Sequence, residues 1–133
     1  MVRMKQVSVF VENQPGRLSA ILEVLEKRQI SIRALSVSDT AEIGIVRMIL
    51  TKPEEGLNEL RKAGFTTRMD WVLIVEIPDV PGGLLHSVAK PMAEAGINLL
   101  YFYAYTEPTT HKTMVVLKTD DLEKAERILE SRR

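Results

Sequence analysis

Asn13-Gln14-Pro15-Gly16-Arg17-Leu18 returns sixty-six positions later as Asp79-Val80-Pro81-Gly82-Gly83-Leu84, each time between a β-like run and an apolar-periodic helix. The correspondence continues past the loops. Gln29-Ile30-Ser31-Ile32 answers Gly96-Ile97-Asn98-Leu99, and Leu57-Asn58-Glu59-Leu60 answers Leu122-Glu123-Lys124-Ala125. Self-similarity at this period makes each copy one supersecondary unit. What repeats most closely is a strand-to-helix turn, whose first amides have no helical partner and can hold a small anion.

Val7, Val9 and Val11 alternate with Ser8 and Phe10, the period of a strand with one buried face. Pro15-Gly16 ends it, and Leu18, Ile21, Leu22 and Leu25 then follow at helical spacing. A second strand is expected from Ile30, with its buried face changing parity near Arg33-Ala34 as a bulge would produce. The run 44–50 reads as a third strand, and Pro53 suits the first turn of a helix that Gly64 closes. The second copy repeats the order, and Asp120 with Glu123 offers its last helix a capping-box-like start. The offset between the copies grows by one residue within the helix that contains Pro91, where a kink is expected.

Each copy therefore reads β-α-β-β-α. Thr66-Thr67-Arg68-Met69 closes the first and runs without Gly or Pro into the first strand of the second, so no flexible linker separates them. The expected fold class is α+β: two ferredoxin-like βαββαβ units in tandem, residues 1–69 and 70–133, with the second lacking its final strand.

Apolar content of 45% and charged content of 27% are those of an ordinary globular chain. No apolar run approaches bilayer length and Met1-Val2-Arg3-Met4-Lys5 carries no signal core, so the expected location is the cytoplasm, away from membranes. Eighteen basic residues against eighteen acidic ones argue against a nucleic-acid partner. The absence of cysteine removes disulfides, thiolate catalysis and thiolate metal sites.

The loop pattern, with Pro15-Gly16-Arg17-Leu18 and Pro81-Gly82-Gly83-Leu84, together with Ala95-Gly96-Ile97-Asn98, resembles the ACT domain family of ligand-binding regulatory modules. The resemblance extends to stand-alone tandem ACT proteins related to the acetolactate synthase regulatory subunit. It implies an amino-acid ligand held where the Pro-Gly loop of one unit meets the second strand of another. Carried over by position, the ligand-binding residues are Asn13, Pro15, Gly16, Arg17, Leu18, Ser31 and Ile32 in the first copy. In the second they are Asp79, Pro81, Gly82, Gly83, Leu84, Asn98 and Leu99. The chemistry agrees: glycine permits close approach of a carboxylate, helix amides receive it, and Asn13 or Asp79 accepts the ammonium. Structure alone also explains such a turn, with Asn or Asp serving as an N-cap. The resemblance further implies a homodimer and, as partner, an amino-acid biosynthetic enzyme. The alternative is an interaction subunit that binds no ligand.

Tyr101, Tyr103 and Tyr105 share one strand face, which suits packing against another sheet better than stacking on bases. His86 and His111 have no ligand-spaced companions, so neither a metal nor any other cofactor is expected. No nucleophile is matched to a base, and the chain reads as no enzyme.

Overall fold

A computed structural model describes residues 1–12, 14–39 and 42–131. The elements run β1 Val2–Glu12, α1 Arg17–Lys27, β2 Ile32–Asp39, β3 Ile43–Leu50, α2 Pro53–Lys62 and β4 Thr66–Ile77. A π-helical turn at Leu85–Ala89, α3 Lys90–Glu94, β5 Leu99–Thr106, β6 Thr113–Thr119 and α4 Leu122–Ser131 follow. The chain is α+β, and two compact units divide it.

The first unit is Lys5–Asp70, with strand order β2-β3-β1-β4. Its antiparallel register sets Val7 opposite Met48 and Val9 opposite Val46, which places all four on one face. Ile21 and Leu25 of α1 and Leu60 of α2 close over them in a single core cluster. The helix turns only part of its predicted apolar stripe inward. Leu18 and Leu22 stay exposed beside the edge strand β2, whose Leu35 and Val37 are 43% and 55% exposed.

The second unit joins Met1–Met4 to the chain from Trp71 onward, and its order is β1-β4-β6-β5. Among the described residues no strand follows α4. Met1–Met4 takes the place of a closing strand beside β4, so the edge that sequence leaves open is covered. Met1 packs on the unit's core of Leu73, Val75, Val88, Met92 and Leu117, and Arg3 pairs with Glu126 of α4 at 3.1 Å. β4 itself runs unbroken from Thr66 to Ile77, so its first half ends one unit and its second half begins the other.

Local irregularities recur at corresponding places. The bulge expected near Arg33 is a register shift between Ile32 and Ala34, and its counterpart lies between Leu99 and Tyr101. α1 is followed by Gln29 with φ 55, and its counterpart α3 by Gly96 with φ 69, so the first copy holds a side chain where left-handed backbone favours glycine. Ile30 consequently belongs to that helix end, its N–H bonded to Leu25 O at 3.0 Å, and β2 begins only at Ile32. The extra residue of the second copy is absorbed differently from expectation. It widens one turn to a π-turn at Leu85–Ala89, ahead of Pro91 rather than at it.

Tyr101, Tyr103 and Tyr105 are half-buried, while the alternate residues Leu100 and Phe102 are exposed by 54% and 52%. Phe102 pairs with Leu117, so it projects on the core-facing side of its sheet, beyond the cover of the helices. The same is true of Leu35, opposite Met48, so each edge strand carries an exposed apolar ledge.

Candidate functional site

Both Pro-Gly turns have one geometry. Gly16 and Gly82 sit at φ 85 and 82, a region closed to most side chains. In the first copy Arg17 N–H donates to Gln14 O at 3.4 Å and Ala20 N–H to Gly16 O at 3.0 Å. In the second, Gly83 N–H donates to Val80 O at 2.9 Å and His86 N–H to Gly82 O at 3.0 Å. Position for position, Arg17 corresponds to Gly83 and Ala20 to His86.

Among the described residues no side chain caps α1 and Asp79 makes no capping hydrogen bond, so Asp79 is not held there as an N-cap. Asn13, the other candidate, lies outside the described residues. The amides of Leu18 and Ser19 have no partner among the described residues, as expected of a first turn. Pro15, Gly16, Arg17 and Leu18 are all exposed around them.

Two hollows flank this turn in the first unit. One, of about 160 Å³, lies between Gln14, Arg17 and Leu18 on the loop side and Val37, Asp39, Gly44 and Val46 on the strands. The other, of about 500 Å³, is walled by Phe10, Val11, Ile43, Gly64, Phe65 and Thr66. Glu12 and Arg17 border both hollows. Neither charged group has a side-chain partner among the described residues. The two carboxylates whose titration is clearly displaced lie elsewhere. Glu54 is held below the ordinary 4.5 by its hydrogen bond from Lys5, and Glu107 by hydrogen bonds from Thr110 and Thr109.

The register supplies the residues that sequence reading missed. Glu12 pairs with Ile43 and Asp39 with Gly44, which carries both carboxylates to the loop end of the unit. Glu12 was visible only as the last residue of a strand. Asp39, Phe10 and Phe65 carried no motif, because they reach the loop only through strand pairing and the closing of the unit.

Ser31 and Ile32 are not brought to the loop within this unit. They line a broad hollow of about 550 Å³ with Leu22, Glu26 and Gln29, at the far end of an 11-residue helix. At 1.5 Å per residue that separation is about 16 Å. Their backbone role is structural: Ser31 N–H donates to Thr51 Oγ1 and Thr51 N–H to Ser31 O, both at 3.0 Å. Asn98 repeats this with Asp120, its N–H donating to Oδ1 at 3.1 Å and the Asp120 N–H returning to Asn98 O at 3.2 Å. The Asn98 side chain is left exposed, and Leu99 is half-buried beside it. Asp120 is thus not the cap of α4. That role falls to Asp121, whose carboxylate accepts the Lys124 N–H at 3.1 Å.

In the second copy Asp79, Pro81, Gly82 and Leu84 are exposed, but Gly83 is buried. A Cβ on Gly83 would stand 2.2 Å from the Pro78 carbonyl oxygen, so packing alone requires glycine there. At Gly82 a Cβ would meet the His86 ring at 3.2 Å as well as the positive φ, so Gly82→Val would disturb the fold together with the loop. Among the described residues, no group of three His, Cys, Asp or Glu could hold a metal ion. None of their helices is long and apolar enough to cross a membrane.

A family model described as an ACT domain pair matches residues 2–133. Among solved structures, protein BT0572 from Bacteroides thetaiotaomicron is similar at a TM-score of 0.89 and 28% identity, covering 98% of this chain and 88% of that one. The ligand-free regulatory subunit of aspartate kinase from Thermus thermophilus matches at 0.63 and 17% identity, over 96% and 91% of the two chains. That from Thermus flavus matches at 0.60 and 14%, over 96% and 90%. These last two show the fold alone. No curated protein matches significantly.

Proposed function

The chain belongs to the family of ACT domain pairs, and we propose that it is a regulatory protein, not an enzyme, which binds an amino acid at the Pro-Gly turn of its first unit. One observation carries this reading. Arg17 and Glu12, opposite in charge and without partners among the described residues, border the same two hollows beside the open amides of Leu18 and Ser19. A carboxylate fits Arg17 and those amides, and an ammonium fits Glu12. Structural likeness to proteins described as regulatory subunits of aspartate kinase supports a regulatory role beside an amino-acid biosynthetic enzyme.

Thermal-shift screening of the twenty amino acids tests the reading. A ligand at a hundred times its dissociation constant adds about 2.7 kcal/mol. Arg17→Gln removes one charge-assisted bond, worth about 1.5 to 3 kcal/mol, so affinity falls by roughly 10- to 150-fold. The unliganded melting temperature stays the same, since Arg17 supports nothing else. If no amino acid moves the transition, the site is not one for amino acids.

We also propose a homodimer in which the exposed ledges of β2 and β5 take part, with Leu35, Val37 and Phe102 as the apolar contacts. Phe102→Glu should then shift the sedimentation mass toward 15.0 kDa at micromolar concentration. An unchanged dimer in that variant places the interface elsewhere, and a wild-type monomer removes it.

A further inference from the structure

Resting on that reading, we propose that the first unit selects an amino acid with a large apolar side chain, its charged groups between Arg17 and Glu12 and its side chain in the hollow walled by Phe10, Ile43 and Phe65. The two hollows differ in what they can accept. The one of about 160 Å³ holds a further carboxylate, Asp39, and has room for little beyond the ligand's backbone atoms. The one of about 500 Å³ falls in the range of small-molecule sites and has no charge besides Glu12 and Arg17. A second charge on the ligand, as in lysine or aspartate, would enter it without a partner, which is unfavourable.

The aromatic walls are held from outside the hollow. Phe65 is half-buried against the core, and Arg68 sits 5.7 Å from the centre of the Phe10 ring, occupying one of its faces. At the rim, Gly64 stands at φ 94 with no atom within 4 Å of a Cβ position, so bare backbone keeps the entrance wide.

The second copy lacks the charged pair and the Phe10 wall. In register with its Pro-Gly turn, Phe10, Glu12 and Arg17 are replaced by Glu76, Pro78 and Gly83. The selectivity therefore belongs to the first unit, with one such ligand per chain.

Calorimetric titration of the full chain tests this with L-phenylalanine and L-leucine against L-alanine, glycine, L-lysine and L-aspartate. Phenylpyruvate and phenethylamine supply controls that each lack one charged group. The expected result is one site per chain, with phenylalanine or leucine bound at least about tenfold tighter than alanine. Both controls should bind more weakly than phenylalanine. Ile43→Trp, at an exposed wall position, should remove that preference by filling the hollow while small amino acids still bind. Alanine or glycine bound as tightly as phenylalanine, with binding still lost in Arg17→Gln, overturns the selectivity and leaves the amino-acid site standing. Phenylpyruvate bound as tightly as phenylalanine overturns the role of Glu12. If no amino acid binds at all, the underlying reading fails and this inference with it.

Discussion

Gly83→Ala is expected to lower the melting temperature by about 10 °C. Its added Cβ would stand 2.2 Å from the Pro78 carbonyl oxygen, inside any tolerable separation, and the obstacle is backbone that cannot rotate aside. Overpacking of this kind costs about 3 kcal/mol, and a chain of this length loses a few degrees for each kcal/mol. Gly16→Ala is the matched control. It has nothing within 4 Å of its Cβ and bears only the penalty of its left-handed backbone, about 1 kcal/mol. Differential scanning calorimetry of both variants separates the two causes. Equal shifts would show that the approach to Pro78 is not what demands glycine at 83.

Removal of Met1–Met4 should selectively unfold the second unit. The deletion takes away the strand beside β4, the Arg3–Glu126 pair and the packing of Met1 on the core. At about 1 kcal/mol for each backbone hydrogen bond and somewhat less for a partly exposed ion pair, the loss is on the order of 4 kcal/mol. That is a large share of what a small unit possesses. It also bares a strand whose Val72, Leu73, Ile74 and Val75 are buried, so the truncated chain should associate as its concentration rises. Hydrogen exchange would show amide protection lost across 71–131 and retained across 14–65. An unchanged urea midpoint with undiminished protection in β4 would mean that Met1–Met4 is not a structural strand.

Local pattern revealed most of the architecture. The alternation of Val7, Val9 and Val11 announced β1, and the parity change near Arg33 announced the bulge found between Ile32 and Ala34. The two Pro-Gly turns agree in dihedral angle and hydrogen bonding, as their shared residues require. The added residue of the second copy was legible too, but its form was not. A kink at Pro91 and a π-turn before it use the same residue count, and packing of Val88 and Met92 into the core chooses between them.

What the sequence by itself determined is the repeat, the order of elements in each copy and the loop where backbone amides lie open. Those properties are set by neighbours within a few residues along the chain. Tertiary structure alone decided three things: that Met1–Met4 completes a sheet begun seventy residues later, that Gly83 serves the Pro78 carbonyl, and that Glu12 and Arg17 share a hollow with Phe10 and Phe65. Each depends on groups far apart in sequence meeting at a few ångströms. The periodicity of a strand or helix states which face is apolar, but carries no record of what that face will meet.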